Sequence, residues 1–74
     1  MNFQEMVTAE LTEVRKKHKP INSLHEGYGL LAEEVDEFFR EVCKKSKNRL
    51  KDNVRQELVQ IAGICQRIAE DLLS

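Results

Sequence analysis

From Leu24 to Val42 apolar side chains recur in unbroken steps of four and three: Leu24, Tyr28, Leu31, Val35, Phe38 and Val42. A second run, Leu50, Val54, Leu58, Ile61, Cys65, Ile68 and Leu72, keeps nearly the same spacing. That period gathers each set on one side of an α-helix, and no segment alternates with the period of two that a strand needs. A shorter run (Phe3, Met6, Val7, Leu11, Val14) ends in Arg15, Lys16, Lys17 and Lys19 ahead of Pro20, a basic last turn followed by a stop. Ser23-Leu24-His25-Glu26 is a capping box that opens the second segment. The spacing predicts a single all-α domain over residues 1–74. It has a short helix over about 2–18 and two long antiparallel helices over about 24–46 and 50–73, joined through Ser46 to Arg49.

Seventy-four residues leave little room for a core. A compact monomer of this size exposes about 4,700 Å² and is marginal on its own. Two cysteines, Cys43 and Cys65, allow one disulfide at most; on separate helices they read as small apolar filler, and no Cys/His cluster has zinc spacing. Stability must then come from regular helix packing or self-association. The two stripes supply one seam within the chain, and Leu30, Phe39, Ile64 and Leu73 are left to face a second subunit. A homodimer or dimer of dimers would complete the bundle. Hydrophobic residues at 41% exclude disorder, no apolar run is long enough to span a membrane, and a net charge of −1 argues against nucleic-acid or membrane binding. The chain opens without a basic region leading into an apolar stretch, so a cytoplasmic protein with reduced thiols is expected.

Glutamates border both stripes. At 100° per residue Glu34 lies about 40° from Phe38, with Glu37 and Glu41 on the same flank, and Glu57 lies about 40° from Ile61. Asp36, Glu37 and Glu41 have bases at helical pairing distance in Arg40, Lys44 and Lys45, which is what solvated carboxylates look like. Glu57 has no base at 53, 54, 60 or 61. If the long helices pack antiparallel, Glu34 and Glu37 face Glu57 across the seam, and a hard divalent cation relieves the repulsion. Glu-x-x-His, the mark of a di-iron bundle, is absent. Charge is segregated as well: Glu26 to Glu37 holds five acids and no base, whereas Arg40 to Arg55 holds seven bases against Glu41 and Asp52. Acids beside bases suit a metal-chelated polyphosphate, and equally a solvated loop.

Glu33-Glu34-Val35-Asp36-Glu37, followed on the third segment by Glu57-Leu58-Val59-Gln60, resembles the E-E-x-x-E…E-x-x-D signature of the MazG-like, all-α nucleoside triphosphate pyrophosphohydrolases. The flanking His25-Glu26-Gly27-Tyr28 and Leu31-Ala32 fit the same resemblance, which runs over about residues 23–73. It implies hydrolysis of a nucleoside or deoxynucleoside triphosphate to the monophosphate and pyrophosphate, with Mg²⁺ (or Mn²⁺). It also implies metal ligation by Glu34, Glu37, Glu57 and Gln60, and a water oriented by Glu33. Lys44, Lys47 and Arg55 are the candidate phosphate contacts. The chain departs from the pattern at Gln60, where the family has aspartate, and the site loses one negative charge. Tyr28 and Phe38 carry core spacing, and Phe39 falls towards a subunit interface. The alternative is a catalytically weak helical oligomer that binds nucleotides or a protein partner.

Overall fold

The computed structural model describes residues 1–48 and 50–74. It is all-α: α1 spans Phe3–Lys17, α2 Leu24–Val42 and α3 Lys51–Ile68, and α3 runs on through a wider π-helical turn, Ala69–Leu73. α1 opens on a full capping box that the sequence reading missed. The Asn2 side chain accepts from Glu5 N–H at 2.8 Å and Glu5 reaches back to Asn2 N–H at 2.9 Å. At α2 the box is half made: Ser23 Oγ accepts from Glu26 N–H at 3.0 Å, while the Glu26 carboxylate reaches Asn22 N–H at 3.4 Å.

α2 stops at Val42, four residues short of the expected end. Cys43 N–H still reaches Phe39 O at 3.0 Å, but Lys44 N–H turns back to Glu41 O at 3.2 Å and a 3₁₀ turn, Ser46–Asn48, follows. Continued helix would have set Lys44 over Lys47 and Lys47 over Lys51, like charges one turn apart. Arg49, one of the seven bases expected near the turn, lies outside the described residues.

α3 is the central element, packed on one side against α1 and on the other, antiparallel, against α2. The core is small: Val7 and Leu11 of α1 close on Val59 of α3, and Ile21 is buried in the link. Neither Val59 nor Ile21 belonged to a predicted stripe. Gly27 lets α2 approach α3, since a Cβ there would sit 2.8 Å from Ile68 Cγ1. At the far end Arg15 bridges Glu70 at 2.8 Å and Asp71 at 3.0 Å, and Asp71 accepts from Ile21 N–H at 2.9 Å. One carboxylate thus ties the end of α3 to the link and to α1.

The α2 stripe does not form the seam. Leu24, Tyr28, Val35 and Val42 are exposed, Tyr28 at 72%, and Leu31 and Phe38 are half-buried. The seam lies roughly a quarter-turn round the helix, along Gly27, Leu30, Glu34 and Glu41. The α3 stripe is split: Leu50, Leu58 and Cys65 are exposed, whereas Val54, Ile61, Ile68 and Leu72 are half-buried, Ile68 against Gly27. Both cysteines are free and exposed rather than filler. Leu30 and Ile64, expected to face a second subunit, are half-buried within the chain; Phe39 and Leu73 are exposed. The whole exposes 5471 Å², about 770 Å² above the scaling for a compact monomer of its mass.

Candidate metal centre

On α2, Glu34, Glu37 and Glu41 follow one another at helical spacing down the side that meets α3, and Glu57 stands opposite on α3. One carboxylate oxygen each from Glu34, Glu37 and Glu57 lie within 4.8 Å of one another. The cluster forms because two helices carry acids along a seam that Gly27 allows to close. Glu37 comes within hydrogen-bonding reach of both other carboxylates.

The electrostatics follow. Partial burial, first, and then repulsion by Glu37, Glu57 and Glu10 push the Glu34 carboxyl up from 4.5 to about 7. Burial and the charges of Glu37 and Glu41 raise Glu57 as well, with Lys44 opposing. With its amide assigned so that the nitrogen faces the acids, Gln60 donates to Glu34 at 2.8 Å and to Glu57 at 3.3 Å. An all-oxygen set of three carboxylates, with an amide oxygen available by rotation, matches the donors that hard divalent cations take.

Of the residues singled out in the sequence, Glu34, Glu37, Glu57 and Gln60 come together. Glu33 is exposed and outside the cluster. The candidate phosphate contacts are engaged elsewhere: Lys44 pairs with the buried Glu41 at 2.8 Å and Arg55 with Asp52 at 2.8 Å. Lys47 is exposed on the 3₁₀ turn. Lys44 and Arg55 bond to acids within their own segments, because a neighbour three residues away reaches each first.

Two residues that the reading missed border the site. Glu10 of α1 adds to the repulsion on Glu34, and its Cγ lies 3.6 Å from where a Gly63 Cβ would stand. It occupies an apolar slot in the series Phe3, Val7, Glu10, Val14, a signal present in the sequence. Arg67 of α3 is buried, 7% exposed, and lies only about 20° round the helix from Gln60. A cavity of about 540 Å³ joins these residues, walled by Glu10, Leu11 and Val14 of α1, Leu30 and Glu34 of α2, and Gln60, Ile64 and Arg67 of α3. His18, Lys19, Pro20 and Asn22 between α1 and α2, and Glu26 at the start of α2, complete its lining. Among the described residues no helix is long and apolar enough to cross a membrane. No protein-family model, curated protein or solved structure matches the chain.

Proposed function

We propose that the protein is a Mg²⁺-dependent nucleoside or deoxynucleoside triphosphate pyrophosphohydrolase of the MazG-like kind, releasing a monophosphate and pyrophosphate. The observation that carries this reading is the meeting of Glu34, Glu37 and Glu57 within 4.8 Å across two helices, the acids that the resemblance names as ligands. The raised carboxyls of Glu34 and Glu57 are poised for a cation, which favours their charged form. When bound, the cation supplies charge neutralisation to the phosphate oxygens. The chain's own residues do the rest. Glu34, Glu37 and Glu57 hold the site, Gln60 rotates between donating to them and offering its oxygen, and the adjoining cavity receives the nucleotide and excludes water. Glu33 remains the candidate for orienting the attacking water.

Self-association belongs to the same proposal. Leu24, Tyr28, Val35 and Phe39 make one exposed apolar side of α2, and Leu50 and Leu58 of α3 are exposed as well. A second copy laid on that side makes a four-helix core. A cytoplasmic setting goes with this reading, since the exposed Cys43 and Cys65 stay reduced there.

The test is incubation with Mg²⁺ and a panel of ribo- and deoxyribonucleoside triphosphates, with monophosphate and pyrophosphate assayed. Product from at least one substrate is expected, and its loss in Glu57→Gln with helicity retained. No product across the panel at high protein concentration rejects the enzyme.

A second reading is favoured by Gln60, which by hydrogen bonding to Glu34 and Glu57 eases the repulsion without a metal. It makes the chain a helical oligomer that binds nucleotides without turning them over. Calorimetry with a non-hydrolysable triphosphate separates the two.

A further inference from the structure

The most costly group in the molecule to leave as it stands is the guanidinium of Arg67. It is 7% exposed, its Nε has no partner, and its one hydrogen bond, from Nη2 to Lys19 O, is long at 3.5 Å. No carboxylate lies within ion-pair distance of it among the described residues. Asp71 feels its charge, but the Asp71 oxygens are given to Arg15 and to Ile21 N–H. A buried arginine normally has its planar set of donors filled, since an unpaired buried charge is strongly unfavourable. Arg67 instead lines the cavity of about 540 Å³, with Lys19 beside it.

We propose that this cavity binds a phosphate group, with Arg67 as its anchor and Lys19 as a second, exposed contact in its lining. The guanidinium fork matches two phosphate oxygens at once, and the ligand fills the donors that the protein leaves open. Its lining carries both signs, Glu10, Glu26 and Glu34 with Arg67 and Lys19, and no ion pair joins Arg67 to any of these acids. From Gln60 to Arg67 the helix rises about 10 Å, so a ligand holding both ends is a phosphate chain rather than a single small anion. This deepens the proposed function by placing free phosphoryl oxygens on Arg67, about two helical turns from Gln60. It does not depend on the cation, because the Arg67 contact is made by the chain alone.

The experiment titrates inorganic pyrophosphate in EDTA, and separately a non-hydrolysable nucleoside triphosphate with Mg²⁺. Wild type, Arg67→Met, Arg67→Lys, Lys19→Met and Glu57→Gln are compared by calorimetry and by the shift in Tm. In EDTA, pyrophosphate is expected to bind wild type and Glu57→Gln alike, and Arg67→Met about tenfold or more weaker. Arg67→Lys should fall between, keeping the charge without the fork. Lys19 is exposed, so Lys19→Met folds in any case and should bind a few-fold weaker. If Arg67→Met does not fold, Arg67→Lys and Lys19→Met carry the test. A loss confined to the pyrophosphate arm assigns the free anion, and a loss in both arms assigns the phosphate chain of the nucleotide. Wild type that binds neither probe, or variants at 67 and 19 that bind both as wild type does, would overturn the proposal. Glu57→Gln that loses hydrolysis yet keeps pyrophosphate in EDTA separates this inference from the metal-dependent one.

Discussion

Glu34 is where folding and chemistry oppose each other most directly. Its ordinary pKa of 4.5 rises to about 7 in the folded protein, through burial first and then through Glu37, Glu57 and Glu10. Below pH 4.5 the carboxyl is protonated whether the chain is folded or not, and it costs the fold nothing. Above pH 7 it is charged in both states, and the folded state carries the whole repulsion. Stability of the metal-free protein is therefore expected to fall as pH rises from 4.5 to 7 and then to level off. Glu57 acts in the same direction. Asp71 has the opposite sign: the Ile21 N–H, and then Arg15, hold it below 3.8, so its contribution is full above that pH and lost as pH falls through its lower folded value. Tm measured in EDTA from pH 5 to pH 8 checks this. Glu34→Gln should flatten the decline and raise Tm at pH 8, and Mg²⁺ at pH 8 should raise the Tm of wild type but not of the variant. A Tm that climbs from pH 5 to pH 8 would contradict the argument. Glu34 and Glu37 were legible in the sequence because helical geometry puts them on one flank of α2, and Glu57 because it borders its own stripe with no base in reach. Arg67 was not, since a base on a helix flank becomes informative only once its neighbours leave it unpaired.

At the scale of elements, two glycines on α2 separate contact from propensity. A Cβ at Gly27 would meet Ile68 Cγ1 at 2.8 Å and Cδ1 at 3.1 Å, whereas Gly29 has nothing within 4 Å. Gly29→Ala is expected to stabilise by about 0.5–1 kcal/mol through lower backbone entropy in the unfolded chain. Gly27→Ala gains the same propensity, but it forces the β-branched Ile68 off its rotamer or pushes α2 away, at a cost of about 1–3 kcal/mol. It should lower Tm and, by widening the seam, weaken Mn²⁺ binding; Gly29→Ala should leave that binding unchanged. Chemical denaturation and a metal titration read both, and equal effects at the two positions would sink the account of the seam. The same seam explains what was misread. Period and length gave three helices correctly, because Pro20, the Ser23 cap and the apolar spacing act within a few residues. The choice of buried face was wrong, because Gly27, Leu30, Glu34 and Glu41 look like a polar flank until α3 packs on them. Hydrophobicity alone favoured the Tyr28–Val35 side, and close backbone approach decided otherwise.

For the whole molecule the misread stripe becomes the main evidence about assembly. An isolated chain that exposes Leu24 at 58%, Tyr28 at 72%, Val35 at 46% and Phe39 at 60% on one helix presents a continuous apolar surface to water, of the kind that marks an interface. These side chains contribute little to the fold of one copy, so replacing them tests association without dismantling the core of Val7, Leu11 and Val59. Val35→Glu and Phe39→Glu together are expected to turn a dimer into a monomer in sedimentation equilibrium, since charges buried against a second copy go unpaired. In wild type the dimer should make Tm rise with protein concentration, because association stabilises the folded state by mass action. In the double variant Tm should be lower and independent of concentration. The cavity with Arg67 lies away from the stripes, so pyrophosphate binding should survive in whatever fraction of the variant remains folded. A wild-type chain that sediments as a stable monomer at high concentration would leave the exposed stripe unexplained and remove the dimer from the proposal.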